Sequence, residues 1–191
     1  MRGSCCPMKR KKGLVILLIF ICLTSYLVWF LLPREINQTF DGFLYGLGDK
    51  KSHIKEKVTI TVNGKFRKKV FNQDRFKGVI DIKGNVPSSI IIDKKEVEIV
   101  FNSDNSGSIH FNDYSQPTHL NSYGTLYINN DFSQLTIGIY EQEDSDTYSW
   151  SAKDGLMISA PASNREVALI ISNQLMKKLL RDWSRKSLDD Y

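Results

Sequence analysis

Beyond residue 32 the sequence contains no cysteine, because Cys5 and Cys6 lie near the N-terminus and Cys22 sits within an apolar run. A disulfide or a cysteine-ligated metal is thereby excluded from everything downstream, which must stand on its hydrophobic core. Histidine is nearly as scarce. His53, His110 and His119 are the only three, and they lack the HExxH spacing of a zinc site, so packing or surface roles are expected of them. Nucleophile-elbow, Walker and dinucleotide-binding motifs are absent, and no serine has a recognisable base partner. Catalytic, cofactor-binding and metal residues are therefore expected to be none, with no cofactor. A cell-envelope hydrolase whose site is assembled from distant residues is the alternative function.

Acidic side chains are missing from the first 34 residues, whereas Arg2, Lys9, Arg10, Lys11 and Lys12 are all basic. Those five account for the whole formal charge of +5, and residues 33–191 hold 21 basic and 21 acidic side chains. The high pI is thus a property of the tail, and nucleic acid is not an expected partner.

Residues 13–32 carry no charge, and 14 of the 20 are Leu, Ile, Val or Phe. As a helix rising 1.5 Å per residue, such a run spans about 30 Å, the thickness of a bilayer core. Tyr26 and Trp29 near its distal end suit an interfacial aromatic belt. The basic flank precedes the run and Glu35 accompanies Arg34 after it, so the positive-inside bias retains the N-terminus in the cytosol. A cleaved signal would have a shorter apolar region followed by small residues, whereas this one ends in Trp29, Phe30, Leu31, Leu32 and Pro33. A single-pass signal-anchor at the plasma membrane is expected. Its parts are a cytoplasmic tail at 1–12, a transmembrane helix at 13–32, a stalk at 33–55 and an extracytoplasmic domain at 56–191. Cys5 and Cys6 are candidates for acylation, and Asn37-Gln38-Thr39 is a glycosylation sequon. Oligomeric state and any protein partner are not legible.

The fold class expected is α+β: the transmembrane helix, then an antiparallel β-rich domain packed by one C-terminal amphipathic helix. Short β-branched and aromatic runs at 58–62, 66–71, 78–82, 89–92, 97–101, 108–111, 125–128, 135–140 and 156–159 read as strands. Asn63-Gly64 reads as a bulged hairpin turn that sends Lys65, Arg67 and Lys69 outward with Thr59 and Thr61. The stalk contains Phe40, Phe43, Leu44, Tyr45 and Leu47, apolar enough that part of it should dock. At the C-terminus, Ser163 with Glu166 reads as a capping box. Val167, Ile171, Leu175, Leu179 and Trp183 then recur every four residues as a stripe expected to cover the sheet.

Ser159-Ala160-Pro161-Ala162-Ser163-Asn164-Arg165-Glu166, running into Ser172-Asn173-Gln174-Leu175-Met176, resembles the ending of small membrane-anchored proteins of Gram-positive bacteria. The β-rich part resembles them from about Val58. The resemblance implies a bacterial plasma membrane and no particular activity or site residue.

Two acidic features have plain readings. Asn102, Asp104, Ser106, Gly107, Ile109 and Asp113 match calcium-loop spacing. The first position is neutral and the last lacks Glu, so a hairpin turn is expected. Glu141, Glu143, Asp144 and Asp146 read as a solvated loop. Charge is nonetheless segregated: 11 basic and 3 acidic residues lie between Lys50 and Lys83, against one basic and 10 acidic between Glu96 and Asp154. The function expected is an extracytoplasmic binding or interaction module. Its contacts are Lys65, Arg67 and Lys69 and its partner an anionic surface, either lipid or a cell-wall polymer. The competing expectation is that the two segments fold together and pair.

Overall fold

The computed structural model describes residues 8–69, 73–86, 92–111, 122–142 and 147–189. Cys5, Cys6, Val70, Phe71, residues 89–91, Asp113, His119, Glu143, Asp144 and Asp146 lie outside them. Helix α1 (Met8–Leu31) contains the apolar stretch Gly13–Leu31, with a mean hydropathy of 2.7 and no part buried against the rest of the chain. It is long and apolar enough to cross a bilayer. Tyr26 meets Trp29 and Phe30 at centroid distances of 6.2 and 6.5 Å near its end.

Only Leu32 and Pro33 separate α1 from β1 (Arg34–Gly46), which runs through the middle of the fold. Residues 33–55 are therefore not a stalk. Ile36, Phe40 and Leu44 point to one side of β1, while Phe43, Tyr45 and the following Leu47 pack on the other. A strand buried on both faces loses the period-2 alternation that marks a half-exposed one, which is why this stretch reads as aperiodic.

Helix α2 (Gly48–Lys51) turns the chain into β2 (Lys55–Arg67), β3 (Arg75–Gly84) and β4 (Ile92–Val100). Then come β5 (Ser106–His110), β6 (Ser122–Ile128), β7 (Leu135–Ile139), the two-residue strands β8 (Glu141–Gln142) and β9 (Tyr148–Ser149), and β10 (Leu156–Ala160). Eight of them form one antiparallel sheet in the order β4-β3-β2-β1-β10-β7-β6-β5, with β8 and β9 paired as a separate hairpin. Leaving that hairpin aside, neighbours in the sheet are neighbours in the chain except at the centre, where the first strand, β1, pairs with the last, β10.

The two ends of the sheet approach each other. Val97 of β4 forms a bridge with Phe111, just past β5. A Cβ on Gly107 of β5 would stand 2.6 Å from Ile99 Cγ2 and 2.7 Å from the Val100 carbonyl of β4. The sheet is thus a near-barrel. At eight strands its bore is just wide enough to be filled by side chains, and one continuous apolar cluster from Ile36 to Ala160 fills it.

The hairpin expected at Asn63-Gly64 does not form. Both residues lie in mid-strand, Asn63 opposite Asn37 and Val79, Gly64 opposite Ile36 and Gly78. A Cβ on Gly64 would come within 2.7 Å of both Gly78 Cα and Phe76 Cζ, so the glycine serves close packing under the Phe76 ring instead of a turn. Val58, Ile60, Val62 and Phe66 share the inner face, and Lys65 and Arg67 the outer one, through unbroken alternation along β2.

At the α1 end of the barrel, Phe132 enters the bore from the β6–β7 loop and lies 5.5–6.2 Å from Phe66, Phe76 and Phe101. Its φ of 63° is held by a turn stapled with side chains. Asn129 Nδ2 donates to Ser133 Oγ (2.8 Å), and Ser133 N and Oγ both donate to Asp131 Oδ1 (3.1 and 2.7 Å). The β4–β5 loop repeats the pattern with Asn102, Asp104 and Ser106, again with a left-handed residue, Asn105 (φ 57°). The turn expected there is present, and Gly107 and Ile109 belong to β5.

The chain closes with α3 (Arg165–Leu175) and α4 (Lys177–Asp182). The cap is Asn164, one residue later than expected, whose Oδ1 accepts from Val167 N (2.9 Å). The buried stripe is displaced with it to Ala168, Ile171, Ser172, Met176 and Leu180, leaving Val167 37% and Trp183 42% exposed. The single expected helix is broken at Met176, although the ladder nearly continues: Met176 N donates to Ser172 O and Leu180 N to Met176 O. These helices cover Phe43, Tyr45, Tyr127 and Met157 on the outside of the barrel. Ser172 is tied to Tyr45 Oη (2.7 Å), Thr136 Oγ1 (2.8 Å) and Ser159 Oγ (2.6 Å).

Candidate functional site

One side of the barrel is covered by α3 and α4, and the side formed by β2, β3, β4 and the first half of β1 is bare. Register fixes what the bare side presents. Its outward rows are Thr39 with Thr61 and Asp81, then Asn37 with Asn63, Val79 and Glu96, then Glu35 with Lys65, Lys77 and Glu98, and finally Arg67 with Arg75. Moving toward α1, the rows therefore pass from ones whose charges are acidic, Asp81 and Glu96, to a mixed row and then to the two arginines.

At that cationic end Lys65, Arg67, Lys69, Arg75, Lys77 and Glu98 line a groove of about 340 Å3. The inward residues explain its construction. Phe66 and Phe76 face each other across β2 and β3 and are buried in the bore, which obliges Lys65 and Arg67 to project outward opposite Lys77 and Arg75. Like charges directly opposite in a sheet are destabilising, and here two such pairs are stacked. Glu98 accepts from Arg75 Nη1 at 3.0 Å, and Lys77 lies 3.8 Å from Glu96. Lys65, Arg67 and Lys69 have no carboxylate partner among the described residues; Lys69 contributes its backbone N–H to Asp74 Oδ1 (3.0 Å).

The basic and acidic segments pair where β3 meets β4 and where Lys51 reaches Glu141 (2.6 Å), whereas Lys65, Arg67 and Lys69 form no ion pair among the described residues, although Glu35 stands opposite Lys65 in register. The structure brings Lys65, Arg67 and Lys69 into one groove. It adds Arg75, Lys77 and Glu98, which sequence reasoning missed. A usable signal was present, since Lys65-Phe66-Arg67 and Arg75-Phe76-Lys77 are mirror images, as expected of two strands meeting at one level of a hairpin.

The groove lies beside the end of α1. Lys68 Nζ stands 5.6 Å from the centre of the Phe30 ring, and the Arg34 guanidinium 5.7 Å from that of Trp29. Both are cation–π distances.

No protein family, curated protein or solved structure matches this chain. The site is therefore read from its own chemistry. Its lining is five cations and one carboxylate, Glu98, a set of donors whose chemistry suits an anion. The hydroxyl cluster at Ser172 is the other concentration of reactive groups, and it is fully buried. Its remaining bonds go to the Ile158 and Ala168 carbonyls, with no histidine or carboxylate bonded to it. Burial pushes the Tyr45 hydroxyl up to about 12, so it stays protonated as a packing group. His53 and His110 are exposed and stand outside both sites.

Proposed function

We propose that this chain is a membrane-anchored extracytoplasmic binding module that rests its cationic β2–β3 face on an anionic surface, foremost the outer leaflet of a bacterial plasma membrane. In this reading α1 is the single span, the basic tail is cytoplasmic and the barrel stands outside. The observation that carries it is the position of Lys65, Arg67 and Lys69, without an ion pair among the described residues, beside Lys68, which itself reaches Phe30 at the end of the span. With two residues between α1 and β1, the barrel has no slack to lift these cations away from the headgroups.

Each Lys or Arg near an anionic surface contributes about 1 kcal/mol, decaying over a Debye length of about 8 Å at physiological salt. Three or four such charges suffice for weak, salt-sensitive adhesion. The test holds the full chain in a non-ionic amphipol, which leaves no bilayer over the cationic face, and measures capture of added vesicles. Anionic vesicles should be captured at low salt and released at high salt, neutral ones should not be captured, and changing Lys65, Arg67 and Lys69 to Ser should abolish capture. Equal capture of both vesicle types, or none lost in the triple variant, would remove the proposal. A fragment starting at residue 50 is unsuitable, because it lacks β1.

A further inference from the structure

We infer that the groove is a phosphate-binding site for an anionic lipid headgroup, in which the phosphate oxygens displace the Glu98 carboxylate from Arg75. This rests on the anionic-surface reading and replaces diffuse attraction with a defined stoichiometric site.

Three observations converge on phosphate. First, the two facing like-charge pairs, Lys65 with Lys77 and Arg67 with Arg75, repel each other on the outer face, while the inward pairs of the same strands, Ile60 with Ile82, Val62 with Ile80 and Phe66 with Phe76, hold the register. An anion seated between the strands removes that repulsion. Second, the donor set suits a tetrahedral oxyanion. Two guanidiniums on adjacent strands offer paired N–H donors in the planar fork that binds phosphate bidentately, and the lysines add point charges around it. A carboxylate has two oxygens and can satisfy at most one such fork, and Glu98 meets Arg75 through a single Oε1–Nη1 contact of 3.0 Å. A phosphate group has more oxygens to share between Arg67 and Arg75. The groove's 340 Å3 equals roughly eleven water volumes of about 30 Å3, room for a phosphate with part of its hydration. Third, the internal competitor is weakly held. Arg75 and Glu98 are each 44% exposed, and an exposed ion pair of this kind contributes little, so exchange for a more highly charged ligand is favourable. With α1 taken as the span, the contact of Lys68 with Phe30 brings the residue between Arg67 and Lys69 to the end of that span, which favours lipid as the source.

The experiment uses the full chain in a neutral maltoside detergent and titrates dihexanoyl phosphatidic acid, inorganic phosphate and acetate at fixed ionic strength, reading binding by calorimetry. Dihexanoyl phosphatidic acid should bind with one-to-one stoichiometry, more tightly than inorganic phosphate, while acetate should not compete. Arg67→Gln and Arg75→Gln should each weaken it by about tenfold or more, the loss expected for one charge-assisted contact. Glu98→Gln should tighten it, a gain that misfolding cannot mimic. Phosphatidic acid binding no better than acetate overturns the site, and so does an unchanged or weakened Glu98→Gln variant. Inorganic phosphate binding as tightly as the lipid overturns the headgroup assignment. If vesicles are captured but phosphatidic acid does not bind, the groove fails and surface adhesion stands. If phosphatidic acid binds but vesicles are not captured, adhesion fails and the groove stands.

Discussion

Phe132 concentrates the cost and the benefit of the α1 end of the barrel in a single residue. A bulky side chain at φ 63° is strained, yet it is 1% exposed and closes the bore against three other phenylalanines. The Asn129–Asp131–Ser133 staple holds the conformation. Hydrogen bonds from Ser133 hold the Asp131 carboxyl below its usual pKa, so the contribution of this exposed group is present above the unfolded carboxyl pKa and fades as the pH falls. Phe132→Ala should cost about 3–5 kcal/mol, measured by chemical denaturation; a loss below about 1 kcal/mol would show that the ring does not plug the bore. The buried tyrosines act at the opposite end of the pH scale. Burial raises Tyr45 and Tyr127 to about 12 and raises Tyr123 as well. A group whose folded pKa exceeds its unfolded value near 10 stabilises fully below that value and loses the contribution as pH rises to the folded one. The melting temperature should therefore fall between about pH 10 and 12, and phenolate absorbance of the folded protein should lag that of the unfolded chain. Normal titration of all tyrosines near pH 10 would contradict their burial.

Among the elements, β2 shows how a local signal is overruled. Asn-Gly is the strongest short hairpin signal, but 13 residues of alternating pattern with partners on both sides outweigh it. The glycine is retained for a different reason, the approach of Gly78. A Cβ on Gly78 would stand 2.5 Å from Gly64 Cα and 2.9 Å from the Asn63 carbonyl carbon, all of it β2 backbone with nothing to rotate away. Gly78→Ala should cost about 1–3 kcal/mol in chemical denaturation even though alanine is the smallest change available. Unchanged stability would mean that the strands are not in this register. Helix α3 is the converse case, because its amphipathic period announced a docked helix. The face was displaced by one residue, since Asn164 and not Ser163 accepts from the first turn. The sequence period specifies that a stripe exists, whereas which edge is deepest depends on the hydroxyl contact of Ser172 with Tyr45, Thr136 and Ser159, which are distant in sequence.

For the whole molecule, orientation across the membrane decides whether the groove can meet an outer leaflet at all. Because no cysteine follows Cys22, Asn63→Cys places one thiol on the exposed face of β2. A membrane-impermeant maleimide should label it in intact cells and leave Cys5 and Cys6 unlabelled until the membrane is opened. Labelling of the tail alone would invert the topology. The sequence by itself determined the apolar helix, the strand-rich class, the closing amphipathic helix and the outward direction of Lys65 and Arg67. The apolar helix follows from the length of an uncharged run and the rest from periods of 3.6 or 2 within a few residues of chain, the outward lysine and arginine through the alternation of β2 and not through the expected hairpin. The tertiary structure alone decided that residues 34–46 are a central strand, that the sheet curls until Gly107 meets Val100, and that Arg75, Lys77 and Glu98 join the β2 cations in one groove. Those outcomes depend on pairing between segments far apart in sequence, and strand register, which a local pattern leaves open, is set only when both faces of the barrel have found what they bury.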